Sequence, residues 1–192
     1  MKPQLIRPVL DTFPVSATFG QLGRHWEPKD PVTGLGKHHG VDFACPVGTT
    51  VRAMSGGLVK EVTSTTLGGL YVAVLHGDGR RASYHHLKAS LVKVGDKVTQ
   101  CQPVATSGNS GTNTTGEHLH LTLRDAKGAA IDPMPEFAPT PFADIGPEHW
   151  GFTVAKWARD RLEMSGVDGE LRPEEPLSTI RLLALLRRAL RE

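Results

Sequence analysis

From residue 116 to 124 apolar and polar positions alternate, with Leu119, Leu121 and Leu123 standing between His118, His120 and Thr122. That period of two predicts a strand with one packed face and one open face. Further short strands are predicted at 15–19, 41–44, 50–54, 58–63, 71–76, 81–86, 97–102 and 103–106. Glycine turns punctuate them at Gly48, Gly56-Gly57, Gly68-Gly69, Gly77-Asp78-Gly79, Gly95-Asp96 and 108–111. Regular short strands with no helical period between residues 40 and 123 predict a mainly β domain built on an antiparallel sheet or sandwich.

Beyond Asp132-Pro133 the pattern changes. Pro133, Pro135, Pro139 and Pro141 mark a stiff linker. Helices are then predicted at 154–164 and 178–191, the second carrying Ile180, Leu182, Leu183, Leu185, Leu186 and Leu190. Ser178 suits its N-cap and Arg187, Arg188 and Arg191 suit its C-terminal end. The expected domains are therefore 1–137 and a small α-helical module at 138–192. Two long polar stretches interrupt the first domain: 20–37, which carries Trp26, and 108–116, which runs straight into the alternating histidine strand. Loops so placed commonly touch ligands.

Composition narrows the partners. The chain has 192 residues, enough for one good core and an appendage, and its 21 glycines and 14 prolines fit many turns. Net charge is +2 with lysine and arginine dispersed, so nucleic acid is not a favoured partner and an anionic polymer such as a cell wall is permitted. No apolar run is long enough to form a membrane span. Residues 1–8 lack the uninterrupted apolar core of a signal peptide, which leaves another route of export or a signal already removed. Cys45 and Cys101 form no zinc-binding pattern, and pairing between them stays open.

Two imidazoles on one face of a strand, His118 and His120, are either a platform for chemistry or incidental surface residues. Upstream, His38-His39-Gly40-Val41-Asp42 sets a histidine four residues before an aspartate across a glycine. With His120 this makes two nitrogens and one oxygen, a set with room for the water of a catalytic zinc. In Ser83-Tyr84-His85-His86, alternation puts Tyr84 and His86 on one face and His85 on the other. His39 and His85 read as neighbours of the active positions. His25, His76 and His149 lack a partner pattern and read as surface residues.

Taken together, His38-x-x-x-Asp42, Tyr84-x-His86-Leu87 and His118-Leu119-His120 resemble the LytM/lysostaphin-type zinc endopeptidases of bacterial cell walls. The turns around them, such as 40–44, 48–53, 95–98 and 108–111, resemble that family as well, over roughly residues 10–136. The resemblance implies a duplicated-hybrid-motif type of sheet. It also implies His38, Asp42 and His120 as Zn²⁺ ligands, with His86 and His118 as non-ligand histidines that handle the water and the oxyanion. No His-Glu-x-x-His helix supplies a glutamate base, so histidine must serve. Tyr84, Asn113 and Thr115 are expected to contact substrate. One departure stands out: Cys101 takes a position where the family usually has glycine, which would strain a cysteine if that position needs a positive φ.

The tail, with Phe142-Ala143-Asp144-Ile145 and Gly166-Val167-Asp168-Gly169, resembles a single S-layer homology module. It is expected to bind a secondary cell-wall polymer, or else to be a small helical appendage. The expectation for the whole is a zinc endopeptidase cutting cross-links or stems of bacterial peptidoglycan. With no signal peptide seen, it reads as a phage endolysin or virion-associated lysin. The alternative is a non-enzymatic wall-binding or virion protein with a vestigial metal site.

Overall fold

The computed structural model describes residues 5–10, 12–23, 29 and 33–137. The two expected helices, the S-layer-homology-like segment, Trp26, His25 and His149 lie outside the described residues. In chain order the strands are β1 (Val15–Ala17), β2 (Val41–Phe43), β3 (Thr50–Arg52), β4 (Gly57–Thr65), β5 (Gly69–His76), β6 (Arg81–Ser90), β7 (Lys97–Val98), β8 (Pro103–Ser107), β9 (Leu119–Arg124) and β10 (Ala130–Ile131). A 3-10 turn, Met134–Glu136, follows. All lie in the unit Met1–Ala138.

Among the described residues every strand-to-strand pairing is antiparallel, as expected. The main path runs β1-β2-β9-β6-β5-β4-β7, with β10 beside β9, and with β8 joining β3 to β6. Strand β9 is central because its apolar row has somewhere to go. Leu119, Leu121 and Leu123 are fully buried in one core with Val41, Phe43, Val72, Val74 and Tyr84. Burying such side chains contributes about 1.5–3 kcal/mol each, enough to fix which face of β9 is inward. The opposite face presents His120 and Thr122.

Three differences from the expected elements have local causes. The strand foreseen at 97–102 stops at Val98, because Thr99–Gln102 closes a turn in which Thr99 N–H donates to the Gln102 side-chain carbonyl at 3.0 Å. Strand β6 extends four residues past His86, and it does so by changing partner, pairing β9 through His85 and β8 from Leu87. Strand β10 and the 3-10 turn are too short to leave a periodic signal.

Cys101 sits at φ 68, the left-handed conformation that glycine would adopt without strain. No disulfide offsets this, since Cys45 and Cys101 are both free thiols. Left-handed backbone costs a non-glycine residue about 1–2 kcal/mol, and glycine returns part of that as chain entropy. Cys101→Gly should therefore raise unfolding stability by about 0.5–1 kcal/mol, read from the denaturant midpoint at unchanged slope.

His76 is not a surface residue. It is 2% exposed, its Nδ1–H donates to the Gly56 carbonyl at 3.1 Å, and its buried Nε2 has no partner. Burial lowers its pKa below the ordinary histidine value, outweighing the Gly56 bond and the Asp78 charge. The unfolded chain then binds a proton that the folded chain refuses. Stability should fall as pH drops below about 6.5, the unfolded-chain histidine value. His76→Asn, which keeps a donor and loses the titration, should show a flatter slope over that window in denaturant titrations at stepped pH.

Candidate metal centre

The register β2–β9 sets Asp42 opposite His120, which brings residues 78 apart in sequence side by side. His38, in the loop entering β2, completes the group. His120 Nδ1 lies 2.8 Å from Asp42 Oδ1, His38 Nε2 lies 3.2 Å from the same oxygen, and the two nitrogens are 3.1 Å apart. All three residues are among the donors that could share one ion. Zinc with bonds near 2.0–2.1 Å and tetrahedral angles needs donors about 3.3 Å apart, so the set fits with a slight expansion. The donor chemistry, two imidazoles and a carboxylate with no thiolate, also suits zinc.

Burial makes this group demanding. His38 is 1% exposed and Asp42 4%. Desolvation resists the charge on Asp42, yet hydrogen bonds and charge from His120 and His38 outweigh it and hold the carboxyl well below the usual carboxylate range. A buried carboxylate flanked by two imidazoles is a place where a cation is stabilised.

Each histidine is oriented by its outer nitrogen. His38 Nδ1–H donates to the Thr18 carbonyl at 2.9 Å, His86 Nδ1–H to Ser110 at 2.8 Å, and His118 Nδ1–H to Gly116 at 2.8 Å. These bonds commit the Nδ1 protons and leave Nε2 unprotonated in the neutral rings. His118 Nε2 is 3.8 Å from Asp42 Oδ1. The His86 ring lies 4.8 Å from that of His118 and 5.9 Å from that of His120.

His86 arrives there by a route that alternation did not foresee. Tyr84 and His86 do not share a face. Tyr84 is fully buried in the core, where its hydroxyl accepts the Met54 N–H at 2.9 Å, so Tyr84 is withdrawn as a substrate contact. His85 pairs with His120 across the ladder, its ring 5.4 Å from that of His120 and stacked on Tyr71 at 4.9 Å. It is the site's neighbour after all. His86 reaches the site only because its φ of 58 inverts the alternation, at a bulge where two residues of β6, His85 and His86, face one of β5, Tyr71. Burial pushes the pKa of His86 down to about 4 and of His85 down to about 3, so both rings are neutral at neutral pH. His39 is half-exposed and is not one of the converging donors.

Asn113 and Thr115 line a cleft of about 210 Å³, with Ser16, Asp42, Glu117 and His118 in the same wall. The polar loop of residues 108–116 thus reaches the centre, held down where Gly111 packs against the backbone of Leu67 and Gly69.

Residues 36–133 match the family model described as Peptidase family M23. The chain belongs to that family. This M23 chain is 38% identical over 121 residues to the peptidoglycan DD-endopeptidase ShyC of Vibrio cholerae, covering 62% of this chain and 27% of that protein. Among solved structures it is similar to a zinc containing peptidase from Vibrio cholerae (TM-score 0.61, 30% identity, 71% of this chain and 41% of that one). It is also similar to the catalytic domain of lysostaphin from Staphylococcus simulans (TM-score 0.55, 33% identity, 65% of this chain and 92% of that one). The chain spans about a quarter of the length of the curated relatives it matches. The likeness bears out the mainly β, antiparallel fold.

Gly40 lets the M23 centre close. A Cβ there would lie 2.4 Å from the Leu121 carbonyl and 2.8 Å from His120 Nε2. Gly40→Ala should displace the His120 ring and weaken metal affinity by at least about tenfold, measured by chelator competition, with a lowered melting temperature alongside.

Proposed function

We propose that this chain is a zinc-dependent endopeptidase that hydrolyses peptide bonds in bacterial peptidoglycan. The observation that carries the reading is the convergence of His38 Nε2, Asp42 Oδ1 and His120 Nδ1 beside the two further imidazoles of His118 and His86. Supporting the substrate class, ShyC is by name a peptidoglycan DD-endopeptidase.

His38, Asp42 and His120 would hold the ion. When bound, Zn²⁺ supplies Lewis acidity, which polarises a carbonyl and brings the pKa of a water toward neutrality. The chain's own residues do the rest. His118 and His86, with Nδ1 protons committed to main-chain carbonyls, present Nε2 lone pairs that accept a proton from the attacking water. Once protonated, such a ring donates a hydrogen bond to the tetrahedral oxyanion and then returns the proton to the departing amine. Asp42 stays ionised throughout, held so by its two histidine neighbours. Asn113 and Thr115 in the cleft wall offer amide and hydroxyl groups to the peptide main chain. The S-layer-homology-like segment, on the strength of its motifs alone, is assigned to wall targeting, where a second binding module raises the effective concentration of substrate.

Asp42→Ala and His120→Ala should each abolish zinc retention and the release of new amino termini from purified walls. His118→Ala, and His86→Asn, which tolerates the left-handed backbone, should keep the metal and lose about 10²–10⁴-fold in rate. Metal analysis beside fragment release separates the two classes. Full hydrolysis by either ligand variant overturns the reading, and zinc-loaded parent that binds walls without releasing amino termini favours a wall-binding protein instead.

A further inference from the structure

Among the four imidazoles of the centre, His120 is oriented differently from the others. His38, His86 and His118 rest their outer nitrogen on main-chain carbonyls, which only accept. The outer nitrogen of His120, Nε2, lies 3.0 Å from Thr122 Oγ1, a side-chain hydroxyl that both donates and accepts. Thr122 is two residues along β9, so the pleat sets it on the His120 face, and the ladder sets it opposite Ser83 of β6. It is 8% exposed.

We propose that Thr122 is a positioning residue that holds the ring angle of His120 for metal binding while accommodating either tautomer, a role that rests on reading His38, Asp42 and His120 as the zinc site. Without metal, the His120 Nδ1–H faces Asp42 Oδ1 at 2.8 Å, and Nε2 accepts the Thr122 O–H. To ligate through Nδ1 the neutral ring must carry its one proton on Nε2 instead. Thr122 Oγ1 then turns about its C–O bond and accepts that N–H. The same hydroxyl satisfies both states, which a carbonyl could not do. The ring has little room to turn toward another partner. Gly40 backs the ring so closely that a methyl there would stand 2.8 Å from Nε2, and the His85 ring closes another flank at 5.4 Å. A hydroxyl lost from Thr122 would leave Nε2 unpaired in a crowded, half-buried place.

The test uses the full chain with Zn²⁺ as the probe. Thr122→Val keeps the shape and the β-branch while removing the hydroxyl, and Thr122→Ser restores it. By competition with a chromophoric chelator, Thr122→Val should bind zinc about 10–100-fold more weakly than the parent, and Thr122→Ser within about threefold of it. In the zinc-loaded parent, ¹⁵N spectra of the His120 ring should show the proton on Nε2. The proposal is overturned if folded Thr122→Val binds zinc as tightly as the parent, or if Thr122→Ser fails to restore affinity. Wall hydrolysis distinguishes this from the broader reading. Thr122-dependent affinity without hydrolysis sinks the peptidase and keeps the positioning role, whereas hydrolysis with Thr122-independent affinity does the reverse.

Discussion

The contact between the Asp42 carboxylate and the His120 imidazole, 2.8 Å across the β2–β9 ladder, is the constraint on which the rest of the domain depends. An ionised carboxylate at 4% exposure is costly to bury unless its oxygens are met by donors. The sheet meets that demand with strand register on one side and with the His38 loop on the other. The apolar row of Leu119, Leu121 and Leu123 then resists any slip of β9, because a shift of one residue would put leucines at the centre and histidines in the core. Packing and polar chemistry thus secure each other on opposite faces of one strand.

Around that contact the backbone is used in ways that oppose local preference. His86 and Cys101 are the non-glycine residues with positive φ among the described residues. At His86 the strained conformation turns a side chain from the core face to the site, at the point where β6 leaves β9 for β8. Strain of this kind persists where the surroundings over-determine it, and here the main-chain and side-chain bonds of Ser110 and Gly68 to the His86 region do so. At Cys101 the same conformation closes a turn, with its N–H on the Ala53 carbonyl and its own carbonyl accepting from Arg52.

The imidazoles around the metal centre are graded by their surroundings. Main-chain carbonyls commit the Nδ1 protons of His38, His86 and His118, and those bonds survive any side-chain replacement elsewhere. His120 instead faces Asp42 and Thr122, two side chains, and is the ring whose orientation is most open to change by substitution. Its flanks are closed by Gly40 and by His85, a residue that touches the centre without reaching the donor set.

Much of this protein was legible in the chain itself. Alternation through 118–124 and the glycine turns determined an antiparallel β domain, the inward face of β9 and the pairing of His120 with the open side. The spacing of His38 and Asp42 at the entrance to a strand marked them as candidates for one centre, and the strain at Cys101 was foreshadowed by the resemblance, which sets a glycine at that position. Tertiary structure alone decided the rest. Alternation assigns faces only while the backbone keeps β geometry: Tyr84 and His85 keep it opposite Leu121 and His120, His86 breaks it at φ 58, and grouping Tyr84 with His86 therefore put Tyr84 and His85 on the wrong faces. His76 looked like a surface histidine because its cover, at Gly56 and beyond, is remote in sequence or featureless. Thr122 was read as just another polar position in the strand, since its role depends on which nitrogen of His120 faces Asp42. That is settled by a register between strands nearly eighty residues apart, where long-range pairing, and not local preference, fixes which atoms meet.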